Sequence, residues 1–216
     1  ATRGHLTLWL TLFSYRKGWY KYAGNWVQQN APVGYAVQRW LLKKQKRKVT
    51  INGKWKGQRS HCITFENPCL TELQREQGMD CILNKEFKPP YTLCFAGRLE
   101  DEKGVDRILT AIKRLKEKEK IKIVHFIGDG PKRAEYEDRA SDLGVKTVFH
   151  GFIPFTEVFE IMKKSQFFLL PSSASEGFPK VIAEAMNFGC IPIVSNVSAI
   201  NQYVVPDTNG FIVDPL

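Results

Sequence analysis

The sequence predicts an α/β fold with a doubly wound parallel sheet, and three observations indicate it. From Tyr91 onward, short apolar runs alternate with stretches whose apolar residues recur at helical spacing. Glycine or proline marks the ends of several of these segments, and the connections between them are short. Such alternation is typical of parallel sheets with helices on both faces. Ligands of these sheets bind beyond the carboxyl ends of the strands, so functional residues are expected there.

The first predicted elements after residue 90 have clear ends. Residues 91–97 are an apolar run that ends in glycine, which predicts a buried strand. Residues 105–118 carry apolar side chains at helical spacing and predict a helix. A second strand, 121–128, closes on Gly-Asp-Gly-Pro, and a second helix, 131–143, begins with proline and is followed by glycine.

The same alternation continues to the end of the chain. Short apolar runs predict further strands at residues 147–150, 166–171, 191–194 and 210–213. Between them, helices are predicted at 155–163, at 178–188, and in a short form near 199–204.

The first ninety residues are less regular. A strand is predicted at 61–65, and Asn52-Gly53 within residues 48–55 predicts a β-hairpin. Helices are predicted at 19–29 and 34–44. All five tryptophans of the chain lie before residue 60, and a segment this aromatic is not expected to be disordered.

Charge is distributed unevenly along the 216 residues, whose formal net charge is +10. Residues 1–65 contain 13 Lys and Arg and no acidic residue, whereas the rest of the chain carries 19 Lys and Arg and 22 Asp and Glu. This change in chemistry predicts a boundary in the 60s to 80s of the numbering.

Several classes of protein are disfavoured by composition. No apolar run approaches the roughly 18 residues of a transmembrane helix, and the N-terminus lacks a signal-peptide pattern. The five cysteines include no CxxC pair and are expected to be free thiols in a reducing compartment. The four histidines show no metal-ligand spacing. These features predict a cytoplasmic protein without a metal site.

The first candidate motif is the segment from Gly97 to Gly104, which leaves a predicted strand and enters a predicted helix. Its two bases, Arg98 and Lys103, are placed to converge on one anion, since guanidinium and ammonium groups both bind phosphate. The alternative is that both bases pair with the acidic residues 100–102 on a solvated turn, and the local sequence slightly favours that alternative.

The second candidate motif is Gly128-Asp129-Gly130-Pro131 at the next strand end. Glycine allows close approach of the backbone to a ligand, but an ordinary strand-to-helix turn is the preferred interpretation.

The third candidate motif contains Glu176 and Glu184, the second of which lies eight residues on, inside a predicted helix. Eight helical residues rise about 12 Å, too far for two carboxylates to act on one glycosidic bond. The pair suits two ends of an extended ligand, and the helix N-terminus offers free N–H groups. The alternative is a dipole partner and a surface residue. The apolar neighbours of Glu184 argue instead for partial burial.

Together these motifs resemble the retaining GT-B transferases of glycosyltransferase family 4, also described as glycosyl transferases group 1. The resemblance rests on Glu-x7-Glu at 176–184, the Gly-Arg-Leu run at 97–104 and the GxGP turn at 128–131. It covers about residues 91–216, which it implies are a Rossmann-like nucleotide-sugar-binding domain, the C-terminal half of a GT-B fold. Residues 67–90 look like the family's interdomain segment, and residues 1–66 like part of its N-terminal, acceptor-side domain.

The resemblance implies roles for individual residues. Arg98 and Lys103 would hold the donor diphosphate without a metal, Glu176 would contact the transferred sugar, and these three would be the catalytic residues. Glu184 would bind the ribose. The remaining predicted donor contacts are Gly97, Gly128, Gly151, Phe152, Ile153, Pro154, Gly177, Phe178, Pro179, Lys180 and Val181. Pro179 stands where the family often has glycine, so the N–H groups of its two neighbours would serve there.

The resemblance also implies substrates and partners. The donor would be a UDP- or GDP-sugar, with no further cofactor, and the acceptor a glycan or lipid-linked sugar of surface polysaccharide or glycolipid synthesis. Transfer would retain the anomeric configuration. The chain is expected to be incomplete and weakly active alone, because the acceptor-side domain is only partly present.

Two alternatives remain open at this point. A nucleotide-sugar epimerase shares the fold and donor, although the Glu-x7-Glu motif argues against it. The second alternative is a binding module that acts through the basic segment 1–65, with its cluster at 43–48, on an anionic membrane or on nucleic acid. Of these two, peripheral contact with the membrane on the cytoplasmic side is favoured, and nucleic acid is not an expected partner.

Overall fold

The computed structural model describes residues 18–66 and 69–214. These residues form two parallel sheets, one of three strands and one of six. No helix among them is long and apolar enough to cross a bilayer. The five cysteines are free thiols, and no cluster of metal-ligating side chains occurs in the described part of the chain.

The six-stranded sheet confirms the predicted doubly wound architecture. Its strand order is β6-β5-β4-β7-β8-β9, with every neighbouring pair parallel. The strands are β4 (Tyr91–Ala96), β5 (Ile121–Ile127), β6 (Thr147–Gly151), β7 (Phe167–Leu170), β8 (Ile191–Ser195) and β9 (Phe211–Val213). The chain runs outward from β4 in one direction and then from β7 in the other. The order therefore reverses between β4 and β7, the position at which such sheets bind ligands.

Five helices accompany this sheet and the segment before it. They are α2 (Glu72–Asn84), α3 (Val105–Arg114), α4 (Arg133–Ser141), α5 (Phe155–Lys164) and α6 (Lys180–Asn187). Their apolar sides and the strands share one core in which Phe95, Phe126 and Phe168 are fully buried. Helix α2 was not predicted from the sequence. It begins with a capping box between Thr71 and Gln74, and its Gly78 lies against the backbone of α6.

Two predicted helices extend too far. The helix predicted over 105–118 stops at Arg114, because Leu115 is extended and a separate turn follows at Lys118–Lys120. The helix predicted from residue 178 begins at Lys180. Pro179 is its extended N-cap, and a residue that precedes proline is sterically disfavoured from helical geometry.

The three-stranded sheet corrects two predictions. Its strands, β1 (Tyr20–Lys21), β2 (Val49–Ile51) and β3 (Cys62–Thr64), are parallel in that order. The predicted hairpin at 48–55 is wrong: Gly53 adopts φ +77°, but no returning strand follows. The predicted helix at 19–29 is also wrong, because Tyr20 pairs with Val49 in the sheet and the chain then turns. The helix predicted at 34–44 is confirmed as α1 (Val33–Lys44).

A histidine pair links two strands of the larger sheet. Nδ1 of His125 on β5 lies 2.9 Å from Nε2 of His150 on β6. Burial, aided by the neighbouring imidazole, lowers the pKa of His125 to about 4, and burial also lowers that of His150. Two imidazoles in contact cannot both be charged without repulsion, so the pair is neutral near pH 7.

Candidate functional site

The candidate site lies between the loop after β4 and the loop after β7, where the strand order reverses. Three hydrogen bonds join these loops at one oxygen. The carbonyl of Glu102 accepts from the N–H of Ser173 at 2.8 Å, the N–H of Ala174 at 3.2 Å and the hydroxyl of Ser172 at 3.0 Å. Gly104 allows this approach, because a Cβ there would lie 2.3 Å from the carbonyl oxygen of Pro171. The two motifs at 97–104 and 176–184 therefore meet.

Lys103 forms an ion pair with Glu176 across these loops. The side chains are 19% and 31% exposed, so both are mostly shielded from water. Burial lowers the pKa of Lys103, the nearby acids oppose this, and the positive charge of Arg98 lowers it further. The close ion pair of Lys103 is thus with Glu176, while Glu100 and Glu102 act on Lys103 only through their charge, and Arg98 lies close enough to repel it.

Arg98 is arranged differently. Its guanidinium lies 3.3 Å from the carboxylate of Glu100, and its side chain is 66% exposed. This is the surface pairing that the sequence favoured. Such a pair contributes little to stability, so Arg98 can exchange Glu100 for another anion at small cost.

Asp101 stabilises the turn between these two bases. Its carboxylate accepts hydrogen bonds from Lys132 and, at 2.6 Å, from the hydroxyl of Tyr136. The bond from Lys132 is the main reason that the pKa of Asp101 is lowered. Asp101 therefore ties the turn to α4, away from the meeting point of the loops.

The glycines after β4 and β5 bring two backbones together. The N–H of Leu99 donates to the carbonyl of Asp129 at 3.0 Å. A Cβ on Gly128 would lie 2.1 Å from the carbonyl oxygen of Gly97, and one on Gly130 would lie 2.3 Å from that of Leu99. Close packing of the two loops thus accounts for these glycines, as the turn interpretation proposed.

The segment after β6 lies at the far side of this edge. The N–H of Gly128 donates to the carbonyl of Gly151 at 2.9 Å, which attaches the segment to the glycine turn. Phe152 is 84% exposed, Ile153 packs against the core and Pro154 is the N-cap of α5. Phe152 thus presents an uncovered aromatic ring beside the strand ends.

Helix α6 carries the second carboxylate of the motif. Glu184 is only 8% exposed, and burial raises its pKa, which the charge of Lys180 partly offsets. Val181 packs partly against the core, and the ring of Phe178 lies 4.6 Å from that of Tyr203. The surface-residue alternative for Glu184 is therefore wrong. A buried carboxylate with a raised pKa is a common property of binding sites.

The N-terminal unit, residues 18–66, contacts the same loop. The N–H of Gly177 donates to the carbonyl of Ala23 at 3.1 Å, and the hydroxyl of Ser175 donates to Gln28 at 2.6 Å. A Cβ on Gly177 would lie 2.0 Å from the side-chain nitrogen of Asn52. No pattern in the sequence indicates Ala23, Gln28 or Asn52 as site residues, because each contacts a residue more than a hundred positions away.

Comparison with known protein families identifies the family to which these loops belong. Residues 83–216 match the family described as Glycosyl transferases group 1. The chain belongs to that family. The match contains both loops, the glycine turn and helix α6, so the part of the candidate site that these elements form lies within the matched family domain.

Two curated relatives are matched over part of their length. The chain is 32% identical over 125 residues to an uncharacterised glycosyltransferase of Methanocaldococcus jannaschii, which covers 57% of this chain and 32% of that protein. It is 25% identical over 184 residues to a glycogen synthase of Mycobacterium tuberculosis, covering 82% and 44%. The chain thus spans less than half the length of these relatives.

Solved structures show the same fold. The catalytic domain of cholesterol-α-glucosyltransferase from Helicobacter pylori superposes with a TM-score of 0.52 at 26% identity, over 58% of this chain and 77% of that one. Anabaena Alr3699/HepE, solved in complex with UDP and glucose, superposes with a TM-score of 0.67 at 17% identity, over 91% and 57%. GT-B glycosyltransferases are therefore the structural neighbours of this chain.

Proposed function

We propose that this site binds a nucleoside-diphosphate sugar and takes part in transferring the sugar to an acceptor hydroxyl. The observation that carries the proposal is the partly buried Lys103–Glu176 pair at the strand-order reversal, which holds a cation and a carboxylate side by side. A diphosphate needs the first and a sugar hydroxyl the second. The complex of Anabaena HepE with UDP and glucose supports this choice of ligand by analogy of fold.

The charges suggest how the donor would be arranged. Lys103 and Arg98 would face the diphosphate and stabilise the charge that develops as it leaves. Glu176 would accept a hydrogen bond from the transferred sugar, Glu184 would bind the ribose hydroxyls, and Phe152 would flank the base. The main chain around Phe178 and Lys180, at the start of α6, would contact the sugar and phosphate.

The resemblance to retaining transferases suggests the bond changes of the proposed reaction. The bond between the anomeric carbon and the phosphate oxygen breaks, and its electron pair stays on the diphosphate. The acceptor oxygen bonds to the same face of the anomeric carbon, and its proton passes to the leaving phosphate. The configuration would thus be retained, and the protein's part is to orient and to balance charge. For the acceptor we propose a polysaccharide or glycolipid, as the family resemblance implies.

Isothermal titration calorimetry tests the donor site. UDP, GDP and ADP are titrated into the full chain and into Lys103→Ala, with Lys113→Ala on the exposed side of α3 as the matched control. One diphosphate should bind the parent chain and the control, and bind Lys103→Ala about 10- to 100-fold more weakly. Equal affinity of the three proteins for the diphosphate would show that Lys103 does not contact it.

A second proposal concerns the surface of the N-terminal unit. Val33, Val37 and Trp40 project from one side of α1 and are 80%, 41% and 57% exposed. Lys43 and Lys44 follow in the last turn, and residues 18–65 contain no acid. An exposed apolar stripe that ends in bases fits an anionic membrane surface, which would place the protein on the cytoplasmic leaflet.

Liposome co-sedimentation tests this membrane contact. Vesicles of phosphatidylcholine alone and with phosphatidylserine are compared at low salt, using the parent chain and Trp40→Ser with Lys44→Glu. Pelleting with the anionic vesicles alone, lost in the double variant, is expected. Absence of pelleting at low salt would reject the proposal.

A further inference from the structure

A small hollow of about 140 Å³ lies within the N-terminal unit. All of its lining residues lie between positions 26 and 62, outside the matched family domain at 83–216. The lining includes Trp26, Lys43, Trp55, Lys56, Arg59 and Cys62. Pockets for drug-sized ligands measure about 300 to 1,000 Å³, so this hollow admits one small chemical group rather than a whole sugar nucleotide.

A tight turn at residues 55–58 forms one side of the hollow. The N–H of Gln58 donates to the carbonyl of Trp55 at 3.1 Å, and Gly57 supplies the positive φ, +71°, at the third position of the turn. The Gln58 side chain accepts from the N–H of Trp55 at 3.1 Å and donates to the carbonyl of Cys62 at 2.6 Å. The turn is therefore held both by its own backbone and by the next strand.

Three cations line the hollow. Lys56 and Arg59 flank the turn, Lys43 reaches the hollow from α1, and all three side chains are exposed. None of the three forms an ion pair with a described residue, and residues 18–65 contain no acid. Burial raises the pKa of the Cys62 thiol, and the charges of Lys43 and Arg59 oppose this rise. Two of the cations thus act on the same wall of the hollow.

Two indole rings supply the apolar part of the lining. Trp26 is 4% exposed, and the Nζ atom of Lys43 lies 5.3 Å from the centre of its ring. A cation–π contact at an exposed site is weak, so it leaves Lys43 able to bind an anion. The indole N–H of Trp55 donates to the carbonyl of Asn52 at 2.8 Å, so Trp55 offers only its ring. Apolar walls strengthen the attraction between the cations and an anion.

We propose that this hollow binds a phosphate monoester group, at a site separate from the donor site. A concave surface lined by one sign of charge concentrates counter-ions, and here no carboxylate of the unit supplies the counter-charge. The guanidinium of Arg59 can bind two phosphate oxygens, while Lys43 and Lys56 act as point charges. A phosphate monoester carries close to two negative charges near neutral pH, whereas each phosphodiester of a nucleic acid carries one. The monoester therefore gains more from three cations.

Phosphate monoesters occur on soluble metabolites and on lipids such as phosphatidic acid. A neighbouring hollow of about 240 Å³ shares Trp26 and Lys43 with this one and is also lined by Trp40, which belongs to the exposed stripe of α1. The site thus adjoins the surface proposed to face a membrane, which favours the lipid source. That preference rests on the proposed membrane contact, whereas binding of the phosphate group does not.

Calorimetry with glycerol phosphate tests the site on the full chain. The pocket variant, Lys56→Gln with Arg59→Gln, removes two exposed cations that line the hollow. The matched control, Lys46→Gln with Lys48→Gln, removes the same charge from exposed positions of the same segment that do not line it. Lys103→Ala separates binding in the hollow from binding at the proposed donor site, and UDP titration of every protein reports the donor site itself.

Glycerol phosphate should bind the parent, the control and Lys103→Ala with dissociation constants within about twofold of one another, and the pocket variant about tenfold more weakly. No binding by the parent, or equal weakening in the pocket variant and the control, would overturn the site. Weakening in Lys103→Ala alone would assign the binding to the donor site instead. Displacement of glycerol phosphate by a thymidine oligonucleotide would overturn the choice of a monoester.

Vesicle co-sedimentation distinguishes the two sources of phosphate. Phosphatidylcholine vesicles that contain phosphatidic acid are compared with vesicles that contain phosphatidylserine at equal surface charge, at an ionic strength of about 0.15 M. A lipid ligand should give stronger pelleting with phosphatidic acid, and the pocket variant but not the control should lose this difference. Equal pelleting with both vesicles, together with binding of glycerol phosphate, would overturn the lipid source and identify a soluble phosphate ester as the ligand.

Discussion

Lys103 and Glu176 form an ion pair that joins the loop after β4 to the loop after β7. Both side chains are mostly shielded from water, at 19% and 31% exposure. A half-buried pair of this kind is costly to break unless another partner replaces one member. A phosphate group that approaches Lys103 supplies such a partner, and it frees Glu176 for a sugar hydroxyl.

This relationship predicts opposite effects of one substitution on binding and on transfer. Glu176→Gln should raise UDP affinity by roughly fivefold, because Lys103 no longer has to leave a charged partner, on a scale of ~1 kcal/mol. The same variant should lower sugar transfer by about 100-fold or more. Calorimetry measures the change in UDP affinity. Product formation by the full-length enzyme measures the change in sugar transfer. Glu160→Gln, in the exposed pair with Lys163, should change neither.

The burial of Glu184 predicts that its carboxylate lowers the stability of the folded protein while it favours nucleotide binding. Burial raises its pKa, so the folded state binds its proton more readily than the unfolded state does. Stability therefore falls as pH rises from the ordinary carboxyl pKa of 4.5 through the raised value. Glu184→Gln should have a higher Tm than the parent near neutral pH and an equal Tm well below pH 4.5, yet bind UDP more weakly. A lower Tm near neutral pH would show that the carboxylate is stabilised in the folded state.

The histidine pair predicts sensitivity to mild acid. The folded pKa of His125, about 4, lies below the ordinary value of 6.5, so the unfolded state binds more protons between these values. Stability is therefore complete above pH 6.5 and is lost as pH falls toward 4. His125→Phe removes the titrating group and should reduce the fall in Tm between neutral pH and about pH 5. An equal fall in parent and variant would place the acid sensitivity elsewhere.

The glycine turn predicts a large stability difference between two similar substitutions. Gly128 adopts φ +119° and a Cβ there would meet backbone at 2.1 Å, so Gly128→Ala should cost more than about 2 kcal/mol in the free energy of unfolding. Gly144 adopts φ +67°, but its nearest neighbour is the flexible Lys118 side chain at 3.8 Å. Gly144→Ala should therefore cost about 1 kcal/mol. Urea denaturation measures both, and similar costs would contradict the proposed crowding.

The contact between Gly177 and the N-terminal unit predicts that a second substitution can partly reverse the effect of a first. Gly177→Ala would place a Cβ 2.0 Å from the Asn52 side chain and should loosen the N-terminal unit, which limited proteolysis detects as faster cleavage within residues 18–66. Adding Asn52→Gly removes that side chain and should restore part of the protection. If the double variant is cleaved as fast as Gly177→Ala, the Ala23 carbonyl at 2.8 Å dominates the clash.

The sequence predicts the larger sheet well and the site in part. Buried strands such as β5 and β7 are short apolar runs, so local hydrophobicity locates them to within about two residues. The partner of Lys103 was not predictable, because Glu176 reaches it only through the strand-order reversal. In the N-terminal unit, Asn52-Gly53 predicts a hairpin, and that prediction is wrong. The local sequence determines the turn, but the parallel pairing of β2 with β1 and β3 depends on residues distant in the chain. The domain boundaries at residues 66 and 90 stay predictions.

The hydrogen bond from Gly177 to Ala23 has a consequence for observing this protein in solution. All five tryptophans of the chain precede residue 60, and Trp26 is buried within the same turn that supplies Ala23 and Gln28. We expect a ligand that draws the N–H of Gly177 toward itself to release that turn and to alter the surroundings of the Trp26 indole. The intrinsic fluorescence of the N-terminal unit would then report occupancy of the candidate site without any added label.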